Sequence, residues 1–192
     1  MALILASSSP IRKAMLEGAG VAFEAISPEV DEGALKLGSD AKSTARLLAE
    51  AKAVAVSKRR PKDWVIGSDS IVSVDGQLFD KPQGRDQAAE HLRFFSGKPM
   101  VLTSAVAVAR GGYVDWSVGD TATLQLRILG DDFIASYLDA EWPEVGYCVG
   151  VFRMEGRGVQ LFDSIEGSHF TILGMPLLPL LGALRARGLI GE

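Results

Sequence analysis

The chain has 192 residues, 47% of them hydrophobic and 23% charged, with 20 basic against 24 acidic side chains for a net charge of -4. That length can bury a sizeable core in one large domain or two small lobes, and the acidic balance argues against a general nucleic-acid backbone binder, which needs a basic surface. The single cysteine, Cys148, excludes an internal disulfide, and with only His91 and His169 beside it a closed Cys/His zinc site is excluded too.

In chain order, the apolar run from Ala2 to Leu5 reads as a strand and leads into a helix over Pro10–Glu17, ended by Gly18 and Gly20. Ser9 suits the N-cap and Pro10 the first helical position. Val21, Phe23 and Ala25 alternate with Ala22, Glu24 and Ile26, the pattern of a second strand. An acidic loop, Glu29 to Glu32, precedes a long helix from about Asp40 to Lys58, whose apolar face is expected to collect Ala41, Ala45, Leu48, Ala51 and Ala55. Trp64 to Ile66 begins another strand. Asp75-Gly76 predicts a type I′ turn between Val72 and Leu78. Asp86–Phe95 reads as a short helix with Gly97 just past its end. Val101–Ala109 and Thr121–Leu129 read as strands around a Gly111-Gly112 turn, and Leu124, Leu126 and Ile128 are expected on one apolar face. Asp132–Leu138 is helical, a strand is expected near Gln160–Ile165, and a last helix over Pro176–Arg187. Helical connections in the first half and hairpins in the middle predict an α/β fold with a mixed sheet.

No window approaches the roughly 20 apolar residues of a membrane span. The apolar start is about five residues with no cationic stretch before it, unlike a secretory signal. The expectation is a cytoplasmic protein without nucleic-acid or membrane partners. The apolar segment Ile172–Leu184 either packs internally or forms a homodimer contact.

The chemistry is concentrated in a few places. Ser7 to Lys13 sets three hydroxyls and two cations at a strand-to-helix turn. Arg12 and Lys13 fall in the first helical turn, where the helix dipole disfavours cations by roughly 0.3–1 kcal/mol each. A bound phosphate reverses that sign, because helix N-termini offer free N–H groups to anions. The alternative is an ordinary capped helix with solvated cations. Lys52 lies at the edge of an apolar helical face, which fits either a snorkelling stem or an ammonium aimed at a phosphate. Asp69, in Gly67-Ser68-Asp69-Ser70, follows an apolar strand. It reads as a turn cap, or as a general base or magnesium ligand at a strand end. Lys81 in Asp80-Lys81-Pro82 reads alone as a surface lysine. Glu29, Asp31 and Glu32 form either a solvated acidic loop or a divalent-metal cluster. Glu155 sits in a glycine-flanked turn, Arg153 to Gly158. Isolated cations, a strand-borne Asp, clustered carboxylates and glycine-rich turns together suit metal-assisted attack of water on a phosphate ester or anhydride. Neither histidine lies near a nucleophile-elbow pattern, which argues against a Ser-His-Asp hydrolase.

Leu5-Ala6-Ser7-x-Ser9-Pro10-x-Arg12, Lys52, Gly67-Ser68-Asp69, Lys81-Pro82, Ser96-Gly97 and Gly174-x-Pro176, in that order over essentially the whole chain, resemble the Maf family of nucleoside triphosphate pyrophosphatases. The resemblance implies one domain over 1–192, with two lobes around an elongated mixed β-sheet and an active-site cleft, a fold like that of inosine triphosphatases. It implies hydrolysis of a nucleoside triphosphate between the α- and β-phosphates with magnesium or manganese. Carried onto this chain, Asp69 is the proton acceptor, with Lys52 and Lys81 as further catalytic residues. Ser7, Ser9 and Arg12 bind phosphate, with Lys13 either a further phosphate contact or a solvated neighbour. Glu32 and Asp69 lie at the metal.

One branch of that family acts on thymidine and uridine triphosphates, and another resembles 7-methyl-GTP pyrophosphatases. Glu155-Gly156-x-Gly158, Leu161-Phe162, Ile165-Glu166-Gly167 and Pro28 to Glu32 look more like the second branch. Ile11 and Ser70 depart from it, where that branch often carries tryptophan and glutamine. Ile11, Ser70 and Glu155 are therefore the expected specificity positions. Glu155 suits a guanine, which presents two donors, and a 7-methylated guanine is also cationic. The competing reading, from a different class, is a nucleotide-binding regulator of septum formation with secondary or no hydrolysis. The intact set Arg12, Lys52, Asp69 and Lys81 distinguishes the two, since a pure binder has no need of the Asp.

Overall fold

Alternating apolar runs and helical periods produce the expected α/β architecture. The computed structural model describes residues 1–35 and 40–191, and for Ala34 and Leu35 the backbone only. Seven strands are found among these residues: β1 (Leu3–Ala6), β2 (Glu24–Ile26), β3 (Trp64–Val74), β4 (Gln77–Phe79), β5 (Pro99–Arg110), β6 (Tyr113–Leu126) and β7 (Phe162–Glu166). They form one sheet in the order β2-β1-β3-β5-β6-β7, with β4 paired to β3. β1 is parallel to both β2 and β3, whereas β4 runs antiparallel to β3 and β7 antiparallel to β6. The sheet is therefore mixed. The helices are α1 (Pro10–Gly18), α2 (Glu32–Leu35), α3 (Ala41–Arg59), α4 (Arg85–Phe95), α5 (Asp131–Glu141), α6 (His169–Ile172) and α7 (Leu177–Arg185). No helix among the described residues is long and apolar enough to cross a membrane.

Contacts divide the chain into two compact units. The first comprises Met1–Ser70, Thr103–Asp120 and Ser168–Glu192, and the second Ile71–Leu102 and Thr121–Gly167. The first is held by Leu3, Leu5, Leu16, Ile66, Val106, Leu180 and Leu184, all buried in one cluster. Each such side chain contributes about 1.5–3 kcal/mol of burial free energy. The apolar Ile172–Leu184 segment packs inward here, with Ile172, Met175, Leu177, Leu180 and Leu184 buried. The second unit is held by an aromatic cluster in which Phe95 meets Phe79 edge-on at 4.7 Å between ring centroids. The Tyr137 hydroxyl donates to the Val151 carbonyl there at 3.0 Å.

Several expectations shift. The second strand is only Glu24–Ile26; Val21 is buried ahead of it, after the chain has turned at the end of α1. The buried face of α3 is Thr44, Ala45, Leu48, Ala49, Lys52, Ala53, Val56 and Ser57, rotated from the expected one so that Ala41, Ala51 and Ala55 lie at its border. β6 ends at Leu126, so Ile128 leaves the apolar face of Leu124 and Leu126 and is 86% exposed. The strand expected near Gln160 begins only at Phe162, after a 3-10 turn over Arg157–Leu161. The Asp75-Gly76 hairpin forms as expected, with φ of 52° and 75° at its two central residues.

Candidate active site

β3 is the axis of the site. Its residues 65–69 are all buried, and side chains alternate between its faces. Gly67 and Asp69 share one face, Ser68 and Ser70 the other. Asp69, expected at a strand end or as a turn cap, is thus mid-strand and sits within the ladder. Its carboxylate is 7% exposed and needs a partner.

That partner comes from α3. A Cβ on Gly67 would lie 2.2 Å from the Ala49 carbonyl oxygen and 2.6 Å from the Ala53 nitrogen. The missing side chain therefore lets the helix backbone settle directly onto the strand. Lys52, between those two alanines in sequence, is thereby brought against Asp69. Its Nζ donates to Asp69 Oδ1 at 2.6 Å and pairs with Glu32 Oε1 at 2.8 Å. Lys52 is itself 7% exposed, which overturns the snorkelling alternative. Asp40 caps α3, accepting from the Lys42 and Ser43 backbone N–H groups at 2.9 and 3.0 Å. The capping bonds hold Asp40 below the usual carboxylate range.

Glu32 reaches this cluster from the start of α2. Among the described residues its acidic neighbours make other contacts. Glu29 pairs with Arg59 at 3.4 Å, and Asp31 accepts from the Gly33 N–H at 3.1 Å. Among the described residues, no three His, Cys, Asp or Glu side chains are grouped to hold a metal ion, and Glu32 and Asp69 both meet the Lys52 ammonium.

On the other face of β3, Arg12 is fixed by neutral acceptors. Its Nε donates to the Gly174 carbonyl at 3.0 Å and its Nη2 to Ser70 Oγ at 3.2 Å. Burial pushes the guanidinium pKa down, and the negative charges of Asp69 and Glu32 partly oppose that. Gly174 has φ +101°, a backbone conformation that side chains rarely adopt, and a Cβ there would lie 3.1 Å from Ser70 Oγ. Ser68 Oγ also reaches the Gly174 carbonyl, at 2.9 Å.

The opening turn differs in detail from expectation. Ser9 occupies the N-cap position of α1, but its hydroxyl makes no capping bond. Ser7, which is buried, supplies the local support by accepting from the Ser9 N–H at 3.1 Å. No acidic residue lies in the first turn of α1. Ile11 and Lys13 are partly exposed there.

Lys81 and Glu155 belong to the second unit. Lys81 is exposed just past β4, and Glu155 accepts from Arg153 Nε at 3.3 Å. Both lie near enough to Cys148 to act on its thiol, whose pKa is raised to about 11, chiefly by burial and next by Glu155. The structure thus brings together Arg12, Glu32, Lys52, Asp69 and Ser70 within one unit, and Lys81 and Glu155 within the other. Sequence reasoning missed Ser104, Thr171 and Asp120, which join the Ser70 network through bonds between distant segments. Ser104 Oγ is 2.8 Å from Ser70 Oγ and donates to the Thr171 carbonyl at 2.7 Å. The Thr171 hydroxyl donates to Asp120 at 2.5 Å. No local signal marks these three residues.

A nucleoside triphosphate pyrophosphatase of Nitrobacter hamburgensis is 47% identical over 192 residues, covering 98% of this chain and 95% of the relative. A 7-methyl-GTP pyrophosphatase of Rhizobium etli is also 47% identical, over 193 residues, covering 98% and 97%. The solved Ham1 protein of Staphylococcus aureus shares the fold at a TM-score of 0.53 and 15% identity, covering 96% of this chain and 98% of that one. The profile of the family described as Maf-like protein matches residues 2–187, and the chain belongs to that family.

Proposed function

We propose that this protein is a nucleoside triphosphate pyrophosphatase that splits the α–β phosphate bond and releases a nucleoside monophosphate and pyrophosphate. The observation that carries the reading is the buried Lys52–Asp69 pair beside an arginine whose hydrogen-bond acceptors among the described residues are neutral. Asp69 is the group that takes the proton from the attacking water, and Lys52 orients its carboxylate. A carboxylate mid-strand is costly to bury, and a protein that only binds nucleotide gains nothing from it. Arg12, with the α1 N-terminus, Ser7 and Ser9, supplies the phosphate cradle. Lys13 adds positive charge to that cradle.

Glu32 and Asp69 fit a divalent cation. Their oxygens already converge on one cationic nitrogen, at 2.8 and 2.6 Å. Magnesium is commonly held by one or two carboxylates with substrate phosphates completing its shell. When bound, such an ion supplies charge stabilisation at the phosphate oxygens.

Base choice falls to Ile11 and Glu155. Glu155 supports 7-methyl-GTP, because a carboxylate accepts from both donors of a guanine and opposes its positive charge. Uridine and thymidine triphosphates are the alternative substrates.

Incubation with a panel of nucleoside triphosphates and magnesium tests the reaction. Monophosphate plus pyrophosphate is the expected product pair, whereas diphosphate plus orthophosphate would refute the bond assignment. Nucleotide retained intact after magnesium is added favours the regulatory reading. Within the panel, 7-methyl-GTP turning over no faster than UTP argues against the guanine preference.

A further inference from the structure

We infer that Ser70 and Ser104 are positioning residues for the Arg12 guanidinium, and that Ser70 acts on the triphosphate through Arg12 and not on the base. The inference rests on the reading of Arg12 as a phosphate ligand and deepens it. It follows from counting protons. A serine hydroxyl has one proton to donate and two lone pairs to accept with. Ser104 is fully buried, and its hydroxyl lies 2.7 Å from the Thr171 carbonyl, which can only accept. Its proton is committed there. The 2.8 Å contact between Ser104 Oγ and Ser70 Oγ must then be donated by Ser70. The Gly174 carbonyl, 3.2 Å from Ser70 Oγ, is a second and longer-range acceptor for the same proton; toward either acceptor Ser70 donates, which leaves an Oγ lone pair for Arg12 Nη2, 3.2 Å away.

The direction of donation follows: Arg12 donates to Ser70, Ser70 onward to Ser104 and at longer range to the Gly174 carbonyl, and Ser104 to the Thr171 carbonyl. Bonds aligned in one direction polarise one another and stiffen the arrangement. The other anchor, the Gly174 carbonyl, is three residues beyond Thr171. Thr171 is itself held by the bond from its hydroxyl to Asp120 at 2.5 Å. Both acceptors for Arg12 are thus tied to one segment, and both are neutral. The guanidinium is held in place without being neutralised, and its other N–H groups are left for a phosphate. Lys52 is the contrast, with two carboxylates on its ammonium. A Ser70 hydroxyl so committed has little left with which to read a base.

The test uses inorganic tripolyphosphate, which has charge and no base. Its binding to the full chain is measured by calorimetry, beside KM and kcat for UTP and 7-methyl-GTP. Loss of one such bond is expected to cost about threefold to tenfold. Ser70→Ala and Ser104→Ala should each weaken tripolyphosphate binding by that factor. Each should raise both nucleotide KM values alike, with kcat falling less. Ser70→Thr, which keeps the hydroxyl, should restore binding, and Ser104→Cys, which keeps the volume, should fall between. In an Arg12→Ala background, Ser70→Ala should have no further effect. Unchanged tripolyphosphate binding in Ser70→Ala, with a loss confined to one nucleotide, would overturn the inference and return Ser70 to base reading. An undiminished Ser70→Ala effect in the Arg12→Ala background would overturn it as well. Wild-type protein that binds no tripolyphosphate would instead remove the phosphate role of Arg12, and the inference with it.

Discussion

The two faces of β3 solve opposite electrostatic problems within four residues. On the Gly67 and Asp69 face, α3 presses close and the polar groups are ions, matched to one another: Lys52 meets Asp69 and Glu32. On the Ser68 and Ser70 face the polar groups are hydroxyls and carbonyls, and the cation bonded to them, Arg12, meets neutral acceptors. Neutral partners satisfy hydrogen bonds without cancelling charge. The first face is therefore suited to proton transfer by an oriented carboxylate, and the second to holding a cation for an anionic ligand. Strand alternation separates the two tasks although the residues are adjacent in sequence.

The sharpest way to break this comparison is on the ionic face. Asp69→Asn keeps the shape and removes the proposed base. Loss of a general base costs typically 10²–10⁴-fold, so kcat should fall by about that factor on every accepted nucleotide, with the circular dichroism spectrum unchanged. Tripolyphosphate binding, proposed for the opposite face, should move far less. A variant with near-normal turnover would take the proton-acceptor role away from Asp69.

A second break is mechanical. Gly67→Ala places a methyl group 2.2 Å from the Ala49 carbonyl oxygen, a backbone atom that cannot swing aside. The helix must back away and carry Lys52 from Asp69. Overpacking of this kind costs about 1–3 kcal/mol, and weakening a buried ion pair adds to it. Urea denaturation should show a lower midpoint, and activity should fall beyond what the unfolded fraction explains. Stability and turnover both at wild-type level would show that the close approach of α3 is not what sets the pair.

How far the sequence foretold this follows from the range of each interaction. The Asp75-Gly76 hairpin was legible because a two-residue turn answers to local φ preferences alone. The start of α3 was legible because Asp40 bonds to N–H groups two and three residues away. Lys52 was visible as an anomaly on an apolar face, but not its partner, since Asp69 lies 17 residues on and only the packing at Gly67 joins them. The split of Glu29, Asp31 and Glu32 among Arg59, a local turn and Lys52 was hidden for the same reason. Ser104, Thr171 and Asp120 left no trace, because their bonds span 34 to 67 residues and no spacing rule operates over such distances. Ser9 misled: a good N-cap residue type predicts a capping hydroxyl, yet the support comes from Ser7.

The mildest probe sharpens the neutral face. Arg12→Lys keeps the positive charge but gives up the planar fork that meets the Gly174 carbonyl and Ser70 Oγ together. A flexible ammonium holds one of those acceptors at a time, and ordering it on the ligand costs more side-chain entropy. Nucleotide KM should rise by about tenfold, the cost of one charged hydrogen bond, while kcat falls less because the Lys52–Asp69 pair is untouched. Salt provides the second readout. An unneutralised, partly exposed cation is screened by added ions, whereas a buried pair is screened much less. The wild-type KM should therefore climb with ionic strength while the urea midpoint holds. In Arg12→Lys the KM should still climb, since the charge remains, but from its higher starting value. In Arg12→Gln the slope itself should flatten. A slope equally steep in Arg12→Gln would place the ligand's charge contact elsewhere in the site and leave the neutral face of β3 with a purely structural arginine.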